Sequence, residues 1–326
     1  MKTTRSSYVL VTVCLAALLI VSMFVAGCTS NGTTNPTTAT PTTSTSAAAA
    51  ATQVAVPATT AAPAVSTTAA QKQTITVTGS TTVLPIAQAA ADAYMKLHPE
   101  ANIQISGGGS GVGVQAIGAK TVDIGMSSRD VTTAELAKYP GLDIITVAHD
   151  GIAVIVNPQN TIQYITLDQV SQIYTGKITK WTQITGAEVP NTNNQIVLIG
   201  RDSSSGTRSY FDETVLKSVT PAKTMLEQNS NGAVAQSVAQ TPGAIGYVSI
   251  GYLTPDVKAL PIWYNSDKII TPSISTVKDK TYPVHRDLYM ITNGQPTGLA
   301  KDYLDYILSA DGQKIVTDQG YVSLTA

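Results

Sequence analysis

From Gln73 onward the chain repeats one local pattern, and that repetition limits the fold more than any other feature. A β-branched or apolar run leads into a polar turn, and the turn leads into an amphipathic stretch of helical period. Gln73–Val77 precedes Thr78-Gly79-Ser80-Thr81-Thr82 and a helical pattern over Leu84–Leu97, with Pro85 near the first turn. Ala101–Ile105 precedes the glycine-rich Ser106–Gly113 and a shorter helix over Val114–Ala119. Val122–Met126 precedes Ser127-Ser128-Arg129-Asp130 and a helix over Thr133–Tyr139. Ile196–Ile199 precedes Gly200–Arg208 and an amphipathic segment over Ser209–Val215. Strands alternating with helices predict α/β architecture, with parallel or mixed sheets covered by helices on both faces.

The alternation is interrupted once and then resumes. Ile144–Val156 holds two β-rich pieces separated by His149-Asp150-Gly151, which places a first chain crossing at Gly151. A second crossing fits around Tyr247–Tyr252. Two crossings through a central insert predict two lobes, 74–150 plus 253–326 and 151–252. Further helices are expected at Thr166–Tyr174, with Thr166 as N-cap, and at Gly232–Ala239, Leu299–Leu308 and Asp311–Thr317. Roughly 250 folded residues suffice for one large domain or two smaller ones.

The start of the chain follows other rules. Met1–Arg5 is short and basic, Val9–Val25 is apolar, and Val25-Ala26-Gly27-Cys28 closes the run. Small residues before a cysteine after such a segment mark a lipoprotein signal peptide, residues 1–28, with Cys28 as the lipidated residue. An uncleaved anchor is the alternative, since the run is near the lower bound for spanning. Either way the remainder lies outside the cytoplasmic membrane. Residues 29–73 are Thr, Ala, Ser, Pro and Val with almost no charge, a composition that cannot offset its ordering entropy, and they read as a disordered stalk. Cys14 leaves with the signal peptide, so the body has no disulfide, thiolate nucleophile or cysteine metal site. Without Lys2 and Arg5 there remain 18 basic and 21 acidic side chains, with no basic patch of the kind nucleic acid requires.

The polar turns carry the chemistry. In open α/β sheets such turns lie at the carboxyl ends of strands, where ligands bind. Helix starts present unpaired N–H groups and partial positive charge, hydroxyls add neutral donors, and glycines allow close backbone approach. Gly200–Arg208 adds guanidiniums, and the set suits a small tetrahedral oxyanion. Each turn also has a plain reading. Ser80 or Thr81 serves equally as a helix cap, Arg201 as a surface ion pair, and Arg208, one turn inside the helix, as a structural or solvent-facing residue. Asp123 reads as a cap on backbone N–H groups or a partner to a base. His149 and Asp150 read as hinge or surface residues. The glycines of Gly107–Gly113 follow the second strand and are interrupted by Ser110, which argues against a dinucleotide loop, and no Gly-Lys-Ser/Thr ending is present. His98, His149 and His285 share no zinc spacing, and Ser204-Ser205-Gly206 is not a nucleophile elbow. No metal or cofactor is expected.

Taken together, Thr78–Pro85, Gly107–Gly113, Val122–Arg129, Arg201–Thr207 and the late segment Tyr282–Gly294 resemble the phosphate-binding proteins of ABC-type phosphate importers, over nearly all of 74–326. Arg-x-x-x-Ser-Gly-Thr at 201–207 is the most specific of these. The resemblance implies a two-lobed periplasmic-binding-protein (Venus flytrap) fold with two crossovers, type II-like. It implies a non-enzymatic monomer that captures inorganic phosphate between the lobes and delivers it to the permease's transmembrane subunits. Matched residue by residue, it implies ligand contacts from Ser80, Thr81, Thr82, Ser110, Gly111, Ser128, Arg129, Arg201, Ser205, Gly206 and Thr207. Well-known members carry an aspartate where this chain has Ser128, so a proton acceptor that discriminates against sulfate would have to come from elsewhere, with Asp123 and Asp130 as candidates. The alternatives are a receptor or sensor for another tetrahedral oxyanion and, in a different class, a secreted phosphate-ester hydrolase.

Overall fold

The parallel strand β1 (Gln73–Gly79) sits between β2 (Ala101–Ser106) and β3 (Ile124–Ser127), and this trio fixes the first half of a computed structural model that describes residues 73–325 except 191 and 266. The linking helices are α1 (Leu84–Leu97) and α2 (Ser110–Gly118), followed after β3 by α3 (Thr133–Lys138). Next come β4 (Leu142–Val156), α4 (Leu167–Tyr174), β5 (Val197–Arg201), α5 (Gly206–Thr214), β6 (Leu226–Gln228), α6 (Asn231–Gln240) and β7 (Ala244–Ser249). The chain ends with β8 (Lys258–Ala259), β9 (Ile262–Tyr264), β10 (Lys268–Ile270), α7 (Ile274–Lys278), β11 (His285–Asn293), α8 (Gly298–Leu308) and α9 (Ala310–Asp318). The signal peptide, Cys28 and the stalk up to residue 72 lie outside the described residues.

The strand order is β2-β1-β3-β11-β4-β7-β5-β6, with β8 against β4 and a separate β9–β10 ribbon. β5 is parallel to both β6 and β7, whereas β11 runs antiparallel to β3 and β4. This is the mixed α/β sheet, flanked by helices, of the two-lobed binding-protein fold. The two expected pieces at Ile144–Val156 are one strand. Its first part, Leu142–Gly151, pairs with β11, and Ile152–Val156 pairs with β7. Gly151 is extended rather than turned. A Cβ there would stand 2.5 Å from Val277 Cγ2, so the glycine serves close packing. The crossing therefore occurs along a continuous strand, whose backbone groups stay paired as it passes from one core to the other.

Two large apolar cores flank that strand. One gathers Ile75, Val77, Ile86, Ala90, Met126, Leu288, Met290 and Tyr303. The other gathers Ile152–Val156, Tyr174, Trp181, Phe211, Val234 and Tyr247. The expected return to the first lobe at residue 253 comes later. Val257, Leu260, Ile262, Val277, Tyr282 and Val284 all bury in the second core, and the chain rejoins the first at Leu288. Strands β8 to β10, two or three residues each, are too short to carry a readable period.

Local signals were otherwise followed closely. Thr166 caps α4 in a box with Gln169, and Thr132 does the same for α3 with Glu135. In α1 the buried face is Ile86, Ala87, Ala90, Ala91 and Tyr94, whereas Leu97 is exposed because the last turn runs past the core.

Candidate anion-binding site

Four strand ends and the turns after them converge where the two cores face each other. The turn after β1 carries Ser80, Thr81 and Thr82. Ser110 opens α2 after β2, and Ser128 follows β3. From the other side Arg201 ends β5, and Ser205 caps α5, which begins at Gly206 and Thr207. All these side chains are at most 6% exposed. Helix starts bring their free N–H groups to this point because parallel strands deliver the chain there.

Contacts across the interface are direct. Thr82 Oγ1 lies 3.0 Å from Thr207 Oγ1. Gly206 packs so tightly on Ser110 and Ser128 that an added Cβ would come within 2.9 Å of Ser128 Oγ. Ser204 is clasped by the glycine turn: its Oγ donates to the Gly108 carbonyl at 2.8 Å, and its own carbonyl accepts from the Gly111 N–H at 3.0 Å. Gly109 has φ +97°, a backbone state that favours glycine, and abuts Ser204.

Arg201 is the principal charge facing this interface from β5. Its guanidinium is 1% exposed and donates from Nε to the Gln228 carbonyl at 3.1 Å and from Nη2 to that of Asn229 at 3.2 Å. The Asp202 carboxylate stands off at 3.7 Å. Burial lowers the Arg201 pKa from its ordinary value, with Asp202 opposing that shift. Two carbonyls and an off-contact carboxylate leave a desolvated cation only partly compensated, and a bound anion would complete the balance.

Not every expected contact points into this cluster. The Arg129 guanidinium makes a two-pronged pair with Glu135, both bonds 2.8 Å. Burial alone would raise the Glu135 carboxyl, but the Arg129 bonds and those from Thr132 hold it down at about 2. Arg129 thus braces the Glu135 that completes the capping box of α3. The Gly111 N–H is spent on Ser204. Ser80 Oγ accepts from the Thr82 N–H at 3.1 Å, so Ser80 is a turn residue and the Thr82 amide is engaged. Ser110 Oγ accepts from the Ser128 N–H at 3.0 Å and lies 3.3 Å from Ser128 Oγ. Of the two carboxylates considered for Ser128's place, Asp123 accepts from Thr76 on β1, as expected of a cap, and Asp130 accepts from Tyr289. Arg208 bonds the Arg201 carbonyl and Glu227, a structural role.

Three groups of the site were not found in the sequence. Asn231, first residue of α6, donates to Thr81 Oγ1 at 3.2 Å and to Thr82 Oγ1 at 2.9 Å. It repeats the strand, polar turn, helix pattern at β6–α6, which was its available signal. Arg286 reaches Thr82 Oγ1, Thr207 Oγ1 and the Ser128 carbonyl from the start of β11. It pairs with Asp150, which is fully buried at the crossing rather than lying on the surface. The signal was a charge in the apolar register of Val284, Arg286 and Leu288, because alternate strand residues share a face. The third is Tyr252, whose hydroxyl donates to the Thr81 carbonyl at 2.6 Å.

Comparison with known proteins bears on this site. Residues 31–311 match the family model of the PBP superfamily domain. The chain is 39% identical over 239 residues to the phosphate-binding protein PstS of Bacillus subtilis, covering 73% of this chain and 76% of that one. The chain belongs to the PstS family. PstS of Pseudomonas aeruginosa is 30% identical over 254 residues, covering 72% of this chain and 78% of its own. Among solved structures, a phosphate ABC transporter substrate-binding protein from Clostridium perfringens with bound phosphate superposes with TM-score 0.71 at 30% identity, covering 77% of this chain and all of that one. An ABC-type phosphate transport receptor from Vibrio cholerae gives 0.61 at 30% identity, covering 76% and 99%. Both PstS relatives and both receptors span about three quarters of the chain.

Proposed function

We propose that this PstS-family chain is the extracytoplasmic orthophosphate-binding subunit of an ABC-type phosphate importer, which captures phosphate between its lobes and delivers it to the permease. Solute receptors of this family bind and release without chemical change, so the chain is not an enzyme. The observation that carries the ligand assignment is the buried, undercompensated Arg201 at the end of the strand that leads into α5. That arrangement supplies charge and directed donors to one small oxyanion. Thr81, Thr82, Ser110, Ser128, Ser205, Gly206 and Thr207 surround it, and Ser80, Gly111 and Arg129 support the turns. The lobes are 74–150 with 285–326, and 151–284, hinged along β4 and β11. Capture closes one lobe on the other.

Calorimetric titration tests the reading with phosphate, arsenate and sulfate in separate runs. Phosphate and arsenate are expected to bind with similar heats. Neither Asp123 nor Asp130 bonds into the cluster, so discrimination against sulfate falls to hydroxyls and is the quantity to read from the third run. No heat with phosphate would defeat the assignment.

Anchoring through Cys28 is part of the same reading. The apolar run before Cys28 and the stalk behind it suit a tether that leaves the receptor free to turn toward a permease. Cys28→Ser is expected to move the protein from the membrane fraction to the soluble one and to abolish labelling by a fatty-acid probe. Unchanged membrane retention with no label in the parent would favour an uncleaved helix instead.

A further inference from the structure

Asn231 reaches both threonines of the β1 turn from the second lobe, and the backbone fixes which way its amide points. The residue opens α6 and is 0% exposed. Its Oδ1 lies 3.2 Å from the Ser249 N–H. A backbone N–H can only donate, so the amide oxygen stands on that side and the NH2 group on the other. Nδ2 then has two hydrogens for two acceptors, Thr81 Oγ1 at 3.2 Å and Thr82 Oγ1 at 2.9 Å. Asn231 is the donor in both bonds.

A threonine hydroxyl that accepts from Asn231 keeps its own proton for another partner. Around Thr82 the choice is open, since Thr207 Oγ1 lies at 3.0 Å and the proton of that contact can run either way. Thr81 has no such neighbour. Among the described residues its Oγ1 bonds only Asn231, so its proton has no protein acceptor, although the residue is 6% exposed. A buried donor left unpaired is costly, and the oxygen of a bound anion would satisfy it. Thr81 is also held from the second core through its backbone, because Tyr252 packs on that core and donates its hydroxyl to the Thr81 carbonyl at 2.6 Å. The turn that carries Asn231 supplies the Asn229 carbonyl that braces Arg201. One segment thus positions both the charge and the hydroxyl.

We infer that Asn231 is a positioning residue: as the second lobe closes, its amide binds Thr81 and Thr82 as a donor, which leaves the Thr81 proton to the bound anion. The inference rests on the phosphate-binding reading above. A carboxylate of the same shape would reverse the polarity. It would still accept from Ser249, but it would also accept the Thr81 proton and withdraw it from the ligand.

The test is a double-mutant cycle in calorimetric phosphate affinity on the full chain. Thr81→Val and Asn231→Asp are measured singly and together. Asn231→Asp also brings a negative charge near the anion, but that cost is common to both Thr81 backgrounds and cancels in the cycle. Thr81→Val is expected to raise Kd at least tenfold in the parent and less than threefold in the Asn231→Asp background. A merely structural asparagine would leave the Thr81→Val cost unchanged, and equal factors in the two backgrounds overturn the inference while leaving phosphate binding intact. If Asn231→Asp fails to melt cooperatively or binds too weakly to titrate, a neutron structure of the parent with phosphate reads the same claim. A deuteron on Thr81 Oγ1 aimed at a phosphate oxygen is expected, with the two on Asn231 Nδ2 aimed at the threonines. A Thr81 deuteron aimed away from phosphate overturns the inference. A parent that gives no phosphate heat overturns the binding reading and this inference with it.

Discussion

Arg201→Ala weakens phosphate binding by at least tenfold, about 1.4 kcal/mol, and truncation of a buried charged donor commonly costs on the order of 2–5 kcal/mol. The expectation follows from how little else compensates that guanidinium. The carbonyls of Gln228 and Asn229 hold its orientation, and Asp202 lies 3.7 Å away. The two carbonyls come from the end of β6 and the turn before α6, so the arm is braced before any ligand arrives. That bracing is pre-organisation and spares the ligand the cost of ordering a long side chain. Arg201→Lys keeps the charge but loses the fork on the two carbonyls, and it also binds more weakly than the parent. Calorimetric Kd values for the three proteins decide the matter, and an unchanged constant in Arg201→Ala removes the residue from the site.

Gly206→Ala abolishes phosphate-driven closure and raises Kd by about a hundredfold or more, the equivalent of two decades at 1.4 kcal/mol each. The substitution is benign within α5, since alanine is the best helix former and Gly206 has no left-handed φ. Its effect comes from across the interface. The new methyl would overlap Ser110 Oγ, stand 2.8 Å from Ser110 Cβ and come within 2.9 Å of Ser128 Oγ. Ser110 Oγ is not free to swing aside, because it holds the Ser128 N–H. The variant therefore melts like the parent, while small-angle scattering shows no phosphate-induced contraction. Gly109→Ala reaches a similar end by a second route, because its Cβ would stand 2.6 Å from the Ser204 carbonyl oxygen. There the left-handed φ adds strain on the order of 1–3 kcal/mol, so that variant also loses stability. Closure and parent-like affinity in Gly206→Ala would mean that the lobes meet differently from the arrangement described.

What the sequence disclosed about this molecule followed locality. Helices α1, α3 and α4 lie close to their expected spans because caps and apolar period are written in adjacent residues, as in the Thr132 and Thr166 boxes. The helix starts at Ser110 and Gly206 began earlier than the apolar pattern indicated, since a helix can open in glycine and hydroxyl residues when its N–H groups face a site. The strand at Ile144–Val156 was divided at His149-Asp150-Gly151 because polar residues there looked like a turn. In the fold they lie where β4 passes from one core to the other, and Asp150 is buried against Arg286, 136 positions away. Nothing local can reveal such a pairing. The packing of residues 257–284 in the second core was hidden for a related reason, because they contribute single apolar side chains rather than a periodic element. Site residues divided the same way. Thr82, Ser110, Arg201 and Thr207 lay in recognisable turns, whereas the Arg129 bond to Glu135 and the Gly111 bond to Ser204 are decided by neighbours that the local turn motif did not disclose.

A crystal structure of the chain grown with phosphate tests the central claim most directly, since one small anion is held to be shared by helix starts from two lobes. The account predicts phosphate oxygens within hydrogen-bond distance of Ser110 and Thr207 and of the Arg201 guanidinium, with Gly206 still seated on Ser110. Phosphate bound to one lobe alone, or in the pocket lined by Lys278 and Lys280, with Arg201 still facing only the Gln228 and Asn229 carbonyls, would contradict it.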